Sequence, residues 1–196
     1  MAPDQPARGL KPARPDPENA DARDTVTQIV QHFLPLKPNI NNLIFSHTAR
    51  MTPILITAGS YRFRARFESS APKTVALFRT LLPYRQKLIH VRWSGEGMWI
   101  PLGETDFGLP FENHTAHPSA GQILLYPGGI SETEILFCYG GVAFASKMGP
   151  LAANHFLTIV EGTENLKALG ELVLWEGAQD ILFELDDVER HGSSKL

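Results

Sequence analysis

The first group of side chains that could do chemistry surrounds Arg92. His90, Arg92, Trp93, Glu96 and Trp99 lie within ten residues of the chain. If a strand, a turn and a returning strand carry them, Glu96 and Trp99 come back beside Arg92. Arg92 could then hold a carboxylate and Glu96 could act as a base, with Trp93 and Trp99 as pocket walls. The alternative is a structural ion pair between Arg92 and Glu96, with the tryptophans as packing.

A second group occupies residues 112–118, which contain a carboxylate and two histidines. Such side chains can bind a metal ion, but two residues separate the histidines where the cupin metal motif has one, and a proline follows. We therefore expect no metal. The functional interpretation is that Glu112, Asn113 and the later Tyr126 bind substrate while His114 shuttles protons. The structural interpretation is a loop that its own side chains hold in place.

A third group follows the double glycine Gly128-Gly129. Glu132 and Glu134 lie two residues apart, so on a strand they face the same side, where repulsion raises the pKa of one carboxyl. Glu132 is a candidate base, and Glu134 and Tyr139 are candidate substrate contacts. A solvated strand face is the alternative.

A fourth group comprises Lys147, Asn154 and His155. We expect Asn154 to bind substrate and His155 to shuttle protons, or else His155 to be a satisfied core histidine. Lys147 could form a Schiff base if it is desolvated, although an exposed lysine is the ordinary case. The chain has no nucleophile elbow, phosphate loop or dinucleotide fingerprint, so we expect no cofactor.

The elements that must position these groups are mainly strands. In residues 61–67 aromatic and arginine side chains alternate, and Pro72 then opens a helix that Pro83 ends. Glycine and proline punctuation predicts eight strands at 53–57, 60–67, 88–93, 97–101, 121–126, 134–139, 155–161 and 179–185. With helices at 72–82 and about 163–174, the prediction is a mainly β fold, a closed eight-stranded antiparallel barrel with two capping helices.

Three short segments resemble the cyclophilins: the strand and helix with Pro72-Lys73-Thr74-Val75 and Phe78, the strand 121–126, and residues 160–166. A closer resemblance covers about residues 52–185, through Arg92-Trp93-Ser94-Gly95-Glu96, the segment 99–103, Glu112-Asn113-His114-Thr115, the segment 127–135 and Asn154-His155-Phe156. These segments are similar to an uncharacterised microbial family, a domain of unknown function with a cyclophilin-like barrel. The resemblance implies a cyclophilin-like barrel.

The resemblance to cyclophilins also raises the question of prolyl isomerase activity, which depends on the residues near Arg92. Counted from Arg92, the positions of the phenylalanine and glutamine that assist the cyclophilin arginine hold Gly97 and Ile100. Glycine provides no apolar wall and isoleucine cannot hydrogen-bond a peptide, so isomerase activity is disfavoured. Cucumopine synthase, an opine-forming enzyme, looks like a fold-level precedent for small-molecule chemistry. We expect a cofactor-independent lyase or cyclase for a carboxylate or amino-acid-like substrate, or alternatively a non-catalytic binding module.

Composition limits the partners and the domain organisation. Residues 51–196 carry 12 basic and 16 acidic side chains, which argues against nucleic acid or an anionic membrane. The single cysteine, Cys138, and the lack of a signal peptide or membrane span predict a cytoplasmic protein. We expect a Pro-rich, mostly disordered extension over 1–50 with a short helix at 24–34, a barrel domain over 51–186, and a polar tail over 187–196. A homo-oligomer is compatible with the sequence.

Overall fold

The computed structural model describes residues 53–186. The predicted disordered extension, its helix at 24–34 and the polar tail lie outside the described residues. The described strands are β1 (Ile54–Ala58), β2 (Tyr61–Phe67), β3 (Tyr84–His90), β4 (Gly95–Pro101), β5 (His114–Thr115), β6 (Gln122–Tyr126), β7 (Glu134–Val142), β8 (Ala145–Ser146), β9 (Gly149–Pro150), β10 (Ala153–Glu161) and β11 (Gln179–Leu185).

Eight of these strands close into an antiparallel barrel. Neighbouring strands follow the order β2-β1-β11-β3-β4-β7-β6-β10, and β10 also pairs with β2, which completes the ring. The short β5 extends the sheet beside β10, and β8 and β9 form a separate hairpin. The predicted closed eight-stranded barrel is confirmed. Closure leaves no exposed edge in the ring itself.

Two α-helices pack at the two ends of the barrel, as predicted. Helix α1 (Pro72–Leu81) buries Phe78, whose ring lies 4.8 Å from that of Phe156 and 5.2 Å from that of Phe183. Helix α2 (Leu166–Glu176) follows a 3-10 turn, contacts β3, β4 and β7, and buries Leu169 and Val173. Within residues 53–186, no helix has the length and apolar character needed to cross a membrane.

The barrel has a second apolar cluster on its outside. Along β6, Ile123 and Leu125 face the interior, while Leu124 and Tyr126 face outward. The outward side chains pack with Phe144 and other residues of the segment that contains the β8–β9 hairpin. One outer face of the sheet is therefore covered by its own loops, and the β8–β9 hairpin forms one wall of the site described below.

The boundaries of β3 differ from the prediction. The strand covers 84–90 instead of 88–93, because its outward positions Arg85 and Lys87 are exposed charges that hid the alternation in the sequence. His90 is its last residue, and residues 91–94 form the connection to β4. Arg92 therefore lies in a turn and does not share a strand face with His90. The turn carries Arg92 and Trp93 away from the barrel interior.

Candidate functional site

A cavity of about 290 Å³ lies on the outer face of the barrel, and we call it the outer-face cavity. Three segments that are distant in sequence form its walls: the turn 91–94, residues 131–134 at the start of β7, and residues 145–147 of the β8–β9 hairpin. Trp99 of β4 completes the lining. Five residues that the sequence analysis proposed for a site meet here: Arg92, Trp93, Trp99, Glu132 and Glu134.

Glu134 is the most unusual group in the outer-face cavity. Its side chain faces outward on β7, is only 8% exposed, and has no hydrogen-bond partner within residues 53–186. Burial, and secondly the nearby charge of Glu132, raise the pKa of Glu134 to about 8. The carboxyl is therefore mostly protonated at neutral pH. A neutral buried carboxyl that lines a cavity can act as a proton donor.

Positive charges line the same cavity. Arg92 and Lys147 are both exposed, and in the described part of the chain neither forms an ion pair within 4 Å with Glu132 or Glu134. The outer-face cavity thus contains basic and acidic side chains that form no ion pairs with one another. An arginine in this state can bind a carboxylate in two-pronged geometry.

The two tryptophans of the cavity differ in their surroundings. Trp93 is 60% exposed on the turn, and Trp99 is half-buried on β4 against the outer apolar cluster. The indole nitrogen of Trp99 is buried and has no hydrogen-bond partner among the described residues. Trp93 therefore offers a free aromatic surface at the mouth, and Trp99 forms part of the base.

Ser94 fixes the two walls that meet at the turn. Its hydroxyl donates to the carbonyl of Ala145 at 3.0 Å and accepts from the amide of Ala145 at 3.1 Å. The amide of Ala143 also donates to the carbonyl of Ser94 at 3.0 Å. Ser94 is 4% exposed, so water does not compete for these bonds. The hairpin that carries Lys147 is thereby held against the turn that carries Arg92.

Glu96 lies outside the outer-face cavity. Its carboxylate accepts a hydrogen bond of 2.8 Å from the amide of Gly141 and lies against Gly140, where a Cβ atom would clash with it. Nearby, the hydroxyl of Tyr139 and Nε2 of His90 are hydrogen-bonded at 2.9 Å. The structure therefore separates Glu96 and Tyr139 from Arg92, although the sequence suggested one site.

Glu112 and Asn154 belong to a largely buried network that we call the helix knot, formed by Glu112, Asn154 and Thr74. The amide and hydroxyl of Thr74 donate to one oxygen of Glu112 at 2.6 and 2.8 Å. The side chain of Asn154 accepts from the amide of Glu112 at 2.9 Å and donates to Thr74 and to the carbonyl of Pro110. The knot ties the start of α1 to the loop and to β10.

The remaining site residues of the sequence analysis are dispersed. Asn113 adopts a left-handed backbone conformation and donates to the carbonyl of His155 at 2.8 Å. Nε2 of His155 lies 2.9 Å from Thr158, and burial lowers the pKa of its imidazole, against the opposing charge of Glu68. None of these side chains lines the outer-face cavity.

His114 and Tyr126 line a second, mostly apolar cavity of about 330 Å³. The hydroxyl of Tyr126 accepts from the amide of Ile130 at 3.0 Å and thus supports the loop after the double glycine. Within residues 53–186 the structure shows no group of three or more His, Cys, Asp or Glu side chains arranged to hold a metal ion. Cys138 is buried in the outer cluster, and burial raises the pKa of its thiol to about 12.

Three further residues line the outer-face cavity: Ser94, Ser131 and Lys147. Ser131 belongs to the same sequence group as Glu132 and Glu134, whereas no chemical role was predicted for Ser94. Lys147 was considered only as a Schiff-base residue, because nothing local shows that the β8–β9 hairpin folds back onto the turn. The role of Ser94 depends on its hydrogen bonds to Ala145, 51 residues away, which no sequence pattern shows.

Comparison with known proteins places the chain in a family. Residues 54–185 match the family described as "Protein of unknown function (DUF3830)", and the match covers more than half of the 196 residues. The chain belongs to this family. Among curated proteins no match to the chain was found.

Solved structures share the fold at low sequence identity. McbB, solved in complex with tryptophan, is 18% identical with a TM-score of 0.51; the match covers 73% of this chain and 46% of McbB. The chain therefore spans less than half the length of McbB. The hypothetical protein AF2241 from Archaeoglobus fulgidus is 15% identical with a TM-score of 0.50, over 72% of this chain and 99% of AF2241. At these identities the likeness shows the fold alone.

Proposed function

We propose that this member of the DUF3830 family is a cofactor-independent enzyme of the lyase or cyclase type, which transfers a proton on a small carboxylate or amino-acid-like substrate in the outer-face cavity. The observation that carries the proposal is the buried carboxyl of Glu134 on the wall of a cavity that Arg92 also lines. Catalytic acids are commonly found where burial and a like charge act on one carboxyl.

The lining residues divide into three roles. Glu134 donates the proton, because its carboxyl is neutral near pH 7. Glu132 is more exposed and serves as the base that removes a proton from the substrate. Arg92 binds the substrate carboxylate, and Trp93 covers the apolar part of the substrate. Glu96, the other base that the sequence suggested, is engaged by the amide of Gly141 and takes no part.

The comparisons support a small ligand only by analogy of fold. McbB, part of which shares this fold, was solved in complex with tryptophan, an amino acid. The isomerase alternative gains no support, because Gly97 is buried and Ile100 is part of the barrel core. The cytoplasmic location inferred from the sequence stays a prediction.

The test is proton exchange into a substrate analogue in D₂O. Phenylpyruvate and L-phenylalanine are incubated with the protein, and ¹H NMR follows the loss of the carbon-bound protons next to the carbonyl or carboxylate. We expect exchange above the protein-free rate with wild type and a loss of about 100-fold or more in Glu134→Gln, the range of general acid catalysis. Glu96→Gln is the matched control and should retain full exchange.

Two outcomes count against an enzyme. Equal exchange in wild type and Glu134→Gln would remove Glu134 from the chemistry. Binding of either compound with no exchange by wild type would favour the non-catalytic binding module.

A further inference from the structure

We propose that the ligand of the outer-face cavity is an α-amino acid with a large apolar side chain, bound as a zwitterion with its carboxylate on Arg92 and its ammonium group on Glu132 and Glu134. This inference deepens the proposed function: it takes the cavity from that proposal and names the substrate class. It does not require catalysis.

The first argument is the distribution of charge. Elsewhere in the described residues, several cationic side chains near a carboxylate pair with it: Arg64 with Asp186 at 2.6 Å, Lys87 with Asp180 at 2.9 Å, and Arg66 with Glu68 at 3.3 Å. In the outer-face cavity two cations and two acids share one lining and form no such pair with one another. A dipolar ligand with an anion and a cation a few bonds apart satisfies both signs at once.

The second argument is the depth of the lining groups. Arg92, Lys147 and Trp93 line the cavity, are exposed and form its rim. Glu134 is nearly buried and lies at the base. The carboxylate and apolar side chain of an amino acid would occupy the rim, on Arg92 and on the exposed apolar surfaces. Its ammonium group would point inward to the acids.

The third argument is size. A cavity of about 290 Å³ lies at the small end of ligand pockets, which typically measure roughly 300–1,000 Å³. That volume suits a single amino acid and is too small to enclose a folded peptide segment. Because the mouth is open toward Trp93, a large side chain can extend over its indole.

Such a ligand has a distinctive effect on protons. An ammonium group beside Glu134 favours the ionised carboxylate, so Glu134 releases its proton when the amino acid binds near neutral pH. With an amino acid bound, Glu134 therefore accepts a proton from the substrate, and it is the proton donor only for a substrate without an amine. The other charged groups that line the cavity are Glu132, Arg92 and Lys147. A ligand with a carboxylate and no amine neutralises Arg92 and gives Glu134 no reason to ionise. The amine alone therefore decides whether a proton leaves.

The experiment is isothermal titration calorimetry of the full chain at pH 7 in two buffers with different ionisation enthalpies. The probes are both enantiomers of phenylalanine, 3-phenylpropionate, which lacks the amine, and 2-phenylethylamine, which lacks the carboxylate. We expect one enantiomer of phenylalanine to bind about tenfold or more tightly than either analogue, a difference of one charge-assisted contact. Its binding should release a proton, and this release should disappear in Glu134→Gln.

Matched variants locate the two contacts. Arg92→Ala should weaken phenylalanine and 3-phenylpropionate about tenfold and leave 2-phenylethylamine unchanged. Lys87→Ala, which removes a surface cation paired with Asp180, should leave all affinities unchanged. Thermal melting of each variant checks that it is folded.

Three results would overturn the inference: equal affinity for phenylalanine and 3-phenylpropionate, proton release that persists in Glu134→Gln, or no binding of either enantiomer. Failure of the proposed function has a different signature. Phenylalanine would then bind and release a proton, but no deuterium would enter it.

Discussion

The helix knot and the outer-face cavity contain the same kinds of residue in opposite states. In the knot, one oxygen of Glu112 accepts two hydrogen bonds from Thr74, and Asn154 uses both its oxygen and its nitrogen. In the cavity, the side chain of Glu134 is more buried than that of Glu112 but forms no hydrogen bond with the described residues. Residue type was equally suggestive in both places. The difference teaches that a candidate site is marked by polar groups that the protein itself leaves without a partner, where water or a ligand can take that place.

The knot has a structural purpose that explains its completeness. The N-cap residue of α1, Ala71, offers no side-chain cap, so the first turn of the helix leaves donors without partners. The carboxylate of Glu112, 38 residues away from Thr74, fills that role and also suits the positive end of the helix dipole. The knot therefore joins the helix to the barrel.

The largest expected effect comes from breaking the knot with Asn154→Ala. Asn154 and Thr74 are fully buried, and the substitution leaves the hydroxyl of Thr74, the amide of Glu112 and the carbonyl of Pro110 without this partner. We expect the free energy of unfolding to fall by about 2–4 kcal/mol, measured by urea denaturation. His114→Ala is the control, because its side chain is exposed, and it should change stability by less than about 0.5 kcal/mol. A small loss in Asn154→Ala would show that water replaces the knot.

The next largest effect is a dependence of the free energy of unfolding on pH, which Glu134 of the cavity should cause. The pKa of Glu134 is about 8 in the folded chain against an ordinary 4.5, so the folded state holds a proton that the unfolded state releases between these values. Stability of wild type should therefore fall as pH rises from about 4.5 to 8. We expect a fall of about 2 kcal/mol, because water can enter the cavity and screens part of the shift.

Glu134→Gln should remove this component, since glutamine does not titrate. Unfolding curves at pH 5, 6.5 and 8 measure the difference between the two proteins, which should grow with pH in favour of the variant. A difference that is constant with pH would mean that Glu134 ionises normally and that the cavity resembles the knot.

Sequence reasoning could predict the barrel because apolar and charged side chains alternate in β2, and because glycine and proline residues mark where the short strands end. It placed Arg92 and Trp99 in one group, because a strand, a turn and a returning strand carry them, and it placed Glu132 in another group. The two groups meet because β4 pairs with β7, which local sequence does not show. It could not separate Glu96 from Glu134, since that choice depends on which face of the barrel the loops cover. It also could not recognise the knot, because Thr74, Glu112 and Asn154 meet only through the tertiary fold.

A smaller effect is expected for Glu112→Gln, which keeps an acceptor oxygen for Thr74 and removes only the charge. The loss should be about 1 kcal/mol, the difference between charge-assisted and neutral hydrogen bonds together with the helix dipole. Urea denaturation at low and high salt measures it, and salt should reduce the difference between variant and wild type. A loss as large as that of Asn154→Ala would show that the knot depends on charge more than on geometry.

The smallest expected effect is that of Arg92→Ala on stability. The guanidinium is exposed and forms no ion pair with the acids of its own cavity, so the folded state loses no contact that water does not replace. We expect a change within about 0.5 kcal/mol in urea denaturation, although ligand affinity falls. A clear loss of stability would show that Arg92 supports the fold, in which case the cavity would be another satisfied network like the knot. If Arg92 serves to bind a ligand, the protein should fold equally well without its side chain.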